Sequence, residues 1–117
     1  MVNDNVYDNA LMELRRGIIL LAVLSELRQE GYGYSVLRAL SQKGMDIEQG
    51  TLYPLLRRLE SQGLLESAWR VEDERPRRYY RTSPAGIDLL ERLTIEWKRM
   101  VETIDQMLPG IGEQNGK

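Results

Sequence analysis

The chain has 117 residues, 42% hydrophobic and 29% charged, which fits one ordinary globular domain. It contains no cysteine and no histidine. This excludes disulfides, thiolate metal sites, and Ser-His-Asp or Cys-His catalysis built from this chain alone. No apolar run approaches the ~20 residues that span a bilayer, and the acidic, polar start is unlike a secretory signal. We therefore expect a cytoplasmic protein without a cofactor or a membrane partner, and rank an enzyme last.

Charge is unevenly distributed along the chain. The net charge is −2, but the stretch from Gly50 to Ser83 holds seven arginines and five acidic residues. Specific nucleic-acid binding depends on where basic side chains lie, not on the net charge. Arginine is also the side chain whose planar fork matches phosphate and guanine edges. The mildly basic middle of the chain is therefore the segment to examine for DNA contacts.

Hydrophobic periodicity predicts three helices in the first half of the chain. The first is expected from about Asp8 to Gln29, with apolar residues on two faces. Glycines at positions 31 and 33 are expected to break it. A second helix should run from about Tyr34 to Lys43, and a third should begin near Glu48 to Gly50 and end at Gly63. Two helices joined by a short turn suggest a helix-turn-helix.

The third helix has the features of a recognition helix. Its inner face is formed by leucines at helical spacing, namely Leu52, Leu55, Leu56 and Leu59. Pro54 is tolerated only in or near the first turn, so the helix should start closer to Gly50 than to Ile47. The candidate DNA-contacting residues on and beside the outer face are Gln49, Gly50, Thr51, Tyr53, Pro54, Arg57 and Arg58. An ordinary amphipathic surface helix would show the same pattern.

Two extended runs, 64–71 and 77–82, predict a β-hairpin with a long charged tip between Glu72 and Pro76. On the second strand, residues 77, 79 and 81 share one face and residues 78, 80 and 82 share the other. Arginines at the tip and on the return strand suit phosphate contacts: Arg75, Arg77 and Arg78. A solvated edge strand protected by charge is the alternative, but the position directly after the third helix favours DNA.

The last helix predicts a dimer. Ser83 and Pro84 form a helix start signal, and the helix should end near Leu108, before Pro109 and Gly110. At ~37 Å for 25 residues it is longer than so small a domain can cover, so its apolar stripe needs a partner chain rather than packing within one subunit. The expected interface consists of Leu14, Leu90, Leu93, Trp97, Met100, Ile104 and Met107.

The order of these elements is that of a winged helix-turn-helix, a mainly α fold with a small β-hairpin and a long C-terminal dimerisation helix. The third helix would enter the major groove, and the hairpin would lie against the backbone or the minor groove. Residues 8–83 are expected to form the DNA-binding domain. Residues 84–109 are expected to form the dimerisation helix of the same unit, and residues 110–117 a disordered tail.

Three segments resemble the PadR family of bacterial transcriptional regulators: GYGYSVLRAL (31–40), GTLYPLLRRLESQGLLES (50–67) and RRYYRTSPAG (77–86). The resemblance runs from about Leu14 to Met107 and is most specific in GTLYPLLRRLE-x-x-GLL. It implies a winged-helix homodimer that usually represses a target operon, with the C-terminal helix packed against the first helix. The DNA contacts that it implies fall on Thr51, Tyr53, the helix around Arg57, Arg77 and Arg78.

The resemblance also implies an effector site. Some members of the family's small subgroup, with its single C-terminal helix, bind flat aromatic compounds at the dimer centre, stacked on a tryptophan of the last helix. Trp97 stands where that tryptophan is expected, and Leu11 and Ile18 complete the expected site. Trp97 also fits an ordinary position on the helix seam. Many relatives have a glycine before the wing arginines, where this chain has Pro76.

These observations predict a ligand-responsive repressor that binds an inverted-repeat operator in double-stranded DNA as a homodimer. Tyr34, at the start of the second helix, is included among the expected DNA contacts. The alternative is a winged-helix protein-interaction module that does not bind DNA. Salt separates the two hypotheses, because DNA binding through several phosphates weakens steeply as salt rises.

Overall fold

A computed structural model describes residues 1–110 of the chain. The elements in chain order are α1 (Asp4–Glu26), β1 (Gly31–Tyr32), α2 (Gly33–Gln42), α3 (Gln49–Ser61), β2 (Leu65–Glu72), β3 (Arg75–Thr82) and α4 (Pro84–Met107). The fold is a winged helix with a long C-terminal helix, which confirms the predicted fold class. Except for Gly110, the predicted disordered tail lies outside the described residues.

α1 begins and ends earlier than the sequence pattern predicts. The Asn3 side chain accepts a hydrogen bond from the Val6 amide (2.9 Å), which caps the helix before its apolar stripe starts. At the other end, the amides of Arg28 and Gln29 bond to carbonyls only three residues back. These tighter bonds close a turn rather than continue the helix. The expected span from Asp8 to Gln29 was therefore displaced at both ends, because the apolar period does not mark caps.

The hairpin is part of a three-stranded antiparallel sheet in the order β1-β3-β2. The glycine segment after α1, expected only as a break, contains β1. Gly31 pairs with Tyr80, and Tyr32 pairs with Tyr79. A strand of two residues is too short to show alternation, so its pairing with β3 left no periodic signal in the sequence.

The predicted long tip of the hairpin was wrong. β2 continues to Glu72, β3 begins at Arg75, and only Asp73 and Glu74 form the turn, with φ values of 50° and 65°. Two successive residues with positive φ are typical of the tight turn that matches the twist of a hairpin. Pro76 lies inside β3 opposite Val71. It is tolerated there because β1 pairs only with residues 79 and 80 and leaves that edge of β3 open.

The core lies between the C-terminal half of α1, α2, α3 and the start of β2. The four predicted leucines of α3 are all buried, together with Leu24 of α1 and Leu27 directly after that helix. Thr82 ties the end of the sheet to α1: its hydroxyl donates to the Leu24 carbonyl (2.8 Å), and its amide donates to the Leu27 carbonyl (2.7 Å). These bonds hold the sheet against the helical core.

α4 begins as predicted and then leaves the body. The Ser83 hydroxyl accepts a hydrogen bond from the Gly86 amide (3.0 Å), with Pro84 at the first helical position. Gly86 is the one buried residue of α4. The radius of gyration is 17.0 Å, against about 13 Å for a compact domain of this size. No helix within residues 1–110 is long and apolar enough to cross a membrane.

Candidate nucleic-acid interface

α3 presents its predicted recognition face to solvent. The exposed residues are Gln49, Gly50, Thr51, Pro54, Arg57 and Arg58, and Tyr53 is half-buried. The helix begins at Gln49, close to the predicted start, with the Glu48 carbonyl accepting from the amides of Thr51 and Leu52. Pro54 lies in the second turn rather than the first. The outer face is therefore polar, basic and accessible, as a groove-reading helix requires.

Tyr53 is positioned by the first residue of α2. A Cβ atom built on Gly33 would lie 2.9 Å from Cζ of Tyr53 and still closer to Cε1. No side chain fits at position 33 unless the tyrosine ring moves. The neighbouring Tyr34 is 53% exposed, and the guanidinium of Arg38 lies 5.9 Å from its ring centroid. The close approach of α2 to α3 thus fixes where the Tyr53 ring lies.

A cleft of about 520 Å³ lies between the starts of α2 and α3 and the strand β3. It brings together six of the predicted DNA-contacting residues: Tyr34, Tyr53, Arg57, Arg75, Arg77 and Arg78. Thr51, Pro54 and Arg58 lie apart from it, in a second groove of about 430 Å³ between α1 and α3. Guanidinium groups and tyrosine hydroxyls in one cleft are suited to phosphate oxygens.

The wing carries a stack of arginine and tyrosine side chains. The guanidinium of Arg77 lies 4.6 Å from the ring centroid of Tyr32, and that of Arg70 lies 4.6 Å from the centroid of Tyr79. The two rings meet edge to face at 5.3 Å. Arg70 is also paired with Glu30. The sequence analysis did not place Tyr32 in this group because it did not predict β1, whose pairing with β3 brings Tyr32 beside Tyr79.

Arg78 has an internal partner, unlike its neighbour Arg77. Its Nη2 donates to both carboxylate oxygens of Glu60, at 2.9 Å each, and the Ser67 hydroxyl donates to the same carboxylate. The Ser67 bond, with help from Arg78, lowers the pKa of Glu60 against the opposing effect of burial. The Glu60 bond raises the pKa of Arg78.

Among the described residues, the remaining arginines of this face form no ion pair, although a hydrogen bond with Tyr79 raises the pKa of Arg77 and the nearby Glu72 carboxylate adds to this effect. Within residues 1–110, no ion pair involves Arg57, Arg58, Arg75 or Arg77. Burial of the neighbouring Tyr80 ring raises the pKa of its phenol, so this tyrosine stays neutral beside the arginines. The positive charge of the cleft is therefore available to an outside anion. The described residues also contain no group of three or more acidic side chains that could hold a metal ion.

A third concave surface lies between α1 and α4. This groove of about 670 Å³ includes two of the three expected effector residues, Ile18 and Trp97, but Leu11 is not among its lining residues. Most of the expected dimer residues are bare in the single chain. Leu14 is 70% exposed, Met100 57%, Ile104 48% and Met107 69%. Trp97 is 39% exposed, while Leu90 and Leu93 are half-buried.

Comparison with known proteins identifies relatives of this chain in sequence and in structure. Residues 20–92 match the transcriptional regulator PadR-like family. A transcriptional regulator of Mycobacterium tuberculosis, Rv3488, is 43% identical over 77 residues, which cover 65% of this chain and 72% of that protein. The crystal structure of a PadR family regulator from Eggerthella lenta superposes with a TM-score of 0.85 at 41% identity, over 92% of this chain and 96% of the other. The crystal structure of a PadR-like regulator from Bacillus cereus superposes with a TM-score of 0.73 at 27% sequence identity, over 84% of this chain and 98% of the other.

Proposed function

Because this chain belongs to the PadR-like family of transcriptional regulators, we propose that it acts in the cytoplasm as a homodimeric, ligand-responsive repressor of an inverted-repeat operator. The family is one of regulators and not of enzymes. In this proposal, residues 8–83 bind DNA and residues 84–109 dimerise. The observation that carries it is the cleft between α2, α3 and β3, which brings Arg57, Arg75 and Arg77 together with Tyr34 and Tyr53. None of these three arginines forms an ion pair within residues 1–110.

The exposed end of α3 reads the bases. Gln49, Thr51 and Arg57 offer hydrogen-bond donors and acceptors on a slim helix surface that Gly50 and Pro54 keep clear. Such groups are suited to base edges in the major groove. The cleft and the wing then hold the phosphate backbone, chiefly through Arg75 and Arg77, and set the position of the helix along the groove.

Dimerisation follows from the apolar surface that one chain leaves bare. Met100, Ile104 and Met107 on α4 and Leu14 on α1 are all about half exposed or more. Burying them against a second copy removes this surface from water, which favours association. A two-fold dimer can present its two α3 helices to half-sites about 34 Å apart, one turn of DNA.

The proposed effector site is the groove between α1 and α4. Its lining is mostly apolar and includes Ile18, Leu90 and Trp97, a composition suited to a flat aromatic molecule with the indole as a stacking surface. In the dimer this groove lies beside the α4 interface. A molecule bound there would change the packing of the two α4 helices, and with it the separation of the two α3 helices.

DNA binding is tested by fluorescence anisotropy with the DNA just upstream of the protein's own gene, over a range of salt. We expect affinity to fall steeply with salt. Arg77→Ala should weaken binding to all sequences about equally and reduce the salt slope by about 1, whereas Tyr53→Ala should reduce the preference for the operator. Arg92→Ala removes the same charge from the exposed side of α4, where Arg92 pairs with Asp88, and serves as the control.

The interaction-module alternative predicts a different pattern. If DNA binding is absent, or if Arg77→Ala and Tyr53→Ala bind DNA like the Arg92→Ala control, the DNA-binding proposal is wrong. Partner capture that does not change with salt would then favour the interaction module.

Effector binding is tested with flat aromatic dyes and tryptophan fluorescence. The chain has two tryptophans, and Trp69 lies on the wing, so a Trp69→Phe background assigns the signal to Trp97. We expect the dyes to quench Trp97 and to lower operator affinity. Dyes that neither quench the fluorescence nor alter operator binding would refute the effector site while leaving DNA binding intact.

A further inference from the structure

Glu60 joins the recognition helix to both strands of the wing. It lies near the end of α3 and is the one acidic residue of that helix. Its carboxylate accepts a hydrogen bond from Ser67 on β2 and two from Arg78 on β3. One side chain thus receives donors from two adjacent strands, so it constrains the wing at two points relative to α3.

The contacts of Arg78 also hold it within the molecule. Its guanidinium lies 5.5 Å from the ring centroid of Trp69 and 5.9 Å from that of Tyr80. Its Nε is buried without a hydrogen-bond partner among the described residues. To reach a phosphate, Arg78 would have to give up a charge-assisted pair in which its Nη2 contacts both carboxylate oxygens of Glu60. Arg77, on the opposite face of β3, forms no ion pair within residues 1–110.

The outer part of the wing has little apolar packing to hold it. Trp69 is 62% exposed and Val71 is 74% exposed. The last residues of β2 and the first of β3 pair mainly with each other. The Arg70–Glu30 pair ties this outer part to the segment before β1, and the polar junction at Glu60 ties it to α3. Its orientation relative to α3 therefore depends on that junction, since a hairpin alone is only marginally stable.

We propose that Glu60, Ser67 and Arg78 form a clip that fixes the angle between the recognition helix and the wing. Arg78 is then a positioning residue, and Arg75 and Arg77 make the phosphate contacts. The clip rests on the proposed DNA-binding function for its effect on affinity, but its effect on wing order is independent of DNA. The proposal thus gives different roles to two adjacent arginines that look equivalent in the sequence: Arg77 contacts phosphate, and Arg78 positions the wing.

The substitution Glu60→Gln separates the clip from a direct Arg78–phosphate contact by the sign of its effect. If Arg78 contacted DNA, removing the carboxylate that competes for it would leave affinity unchanged or increase it. If the clip positions the wing, the same change should weaken operator binding by about tenfold and lower the salt slope, although it removes a negative charge from the DNA-binding side.

The matched control is Glu66→Gln. Glu66 lies one residue before Ser67, on the exposed side of β2 opposite Arg81, and forms no ion pair within residues 1–110. It undergoes the same chemical change without touching the clip, so it should bind the operator at least as tightly as the parent. Circular dichroism melting shows whether each variant remains folded, which we expect because the core leucines are untouched.

A double-mutant cycle and hydrogen exchange complete the test. Arg78→Gln should weaken operator binding by about the same factor as Glu60→Gln. The double variant should bind no more weakly than either single variant, because each change breaks the same junction.

Hydrogen exchange tests the clip without DNA: the amides of residues 67–78 should exchange faster in Glu60→Gln than in Glu66→Gln. If the parent binds no DNA, the proposed function fails and this exchange alone decides the clip. Unchanged exchange, or operator binding by Glu60→Gln as tight as the parent, would overturn it.

Discussion

Two regions of the molecule carry apolar residues at helical spacing and bury them to opposite extents. On α3, Leu52, Leu56 and Leu59 are at most 1% exposed. On the second half of α4, Met100, Ile104 and Met107 are each about half exposed or more. Both stripes repeat at intervals of three and four residues. The sequence pattern therefore identifies an apolar face on a helix but does not say what covers it.

The difference follows from the position of each helix in the fold. The leucine face of α3 packs in one core with buried residues of α1, α2 and β2. α4 extends away from the sheet, and the molecule measures 54 × 32 × 24 Å as a result. α1 is nearly as long as α4, with 23 residues against 24, but the groove between them includes no residue of α4 beyond Trp97. The bare stripe of α4 is the basis of the proposed dimer, and the predictions below test the comparison.

The largest effect is expected in the body. Leu24 of α1 is fully buried, and Leu24→Ala leaves a cavity in a close-packed core. We expect a loss of about 3–4 kcal/mol in the free energy of unfolding, measured by urea denaturation. Leu14→Ala, the same change at a residue 70% exposed on the same helix, should cost far less in unfolding under conditions that keep the chain monomeric. Equal losses of unfolding free energy in Leu24→Ala and Leu14→Ala would contradict the division between a packed core and exposed helix surfaces.

Gly86 tests the junction between the two regions. A Cβ there would lie 2.6 Å from Cγ2 of Thr82 and closer still to the backbone carbonyl oxygen of Leu64. Since the backbone cannot yield cheaply, Gly86→Ala should destabilise the protein by about 2–3 kcal/mol in a thermal melt. Gly17→Ala is the matched control on α1, because a Cβ at that position meets nothing within 4 Å. It should be neutral or stabilising. A neutral Gly86→Ala would mean that α4 is loosely attached.

The projecting half of α4 should respond in association rather than in folding. Ile104→Gln places an amide in the proposed interface and should raise the dimer dissociation constant about thirtyfold, or about 2 kcal/mol. Analytical ultracentrifugation measures this constant. Glu102→Gln, also exposed on α4, is the control and should dimerise like the parent. A parent that remains monomeric at high concentration would contradict the dimer proposal.

The smallest effect is a pH dependence at the Glu60 junction. The Ser67 hydrogen bond and Arg78 lower the pKa of Glu60 from its usual 4.5. A carboxyl with a lowered pKa stabilises the fold fully above the unfolded value and loses that contribution as pH falls through the folded value. The difference in unfolding free energy between the parent and Glu60→Gln should therefore shrink below pH 4.5. If the difference in unfolding free energy is instead constant from pH 6 to pH 3, the ionised carboxylate of Glu60 does not stabilise the fold.

The sequence predicted the elements whose signals are local. The leucine face of α3, the capped start of α4 at Ser83 and the two strands of the hairpin were each found within a few residues of the structure. Caps, turn residues and apolar periods act within a few positions of the chain, so they can be read without knowing the fold. The same holds for the exposed face of α3, which is the opposite side of the leucine stripe.

The tertiary structure decided what depends on residues far apart in sequence. β1 exists because β3, about fifty positions later, pairs with it. That pairing brings Tyr32 under Arg77. Arg78 is drawn to Glu60 across eighteen positions, which separates its role from that of Arg77. Long-range pairings of this kind depend on how the chain closes on itself, and no local period records them, so two adjacent arginines that are equivalent in the sequence differ in the folded protein.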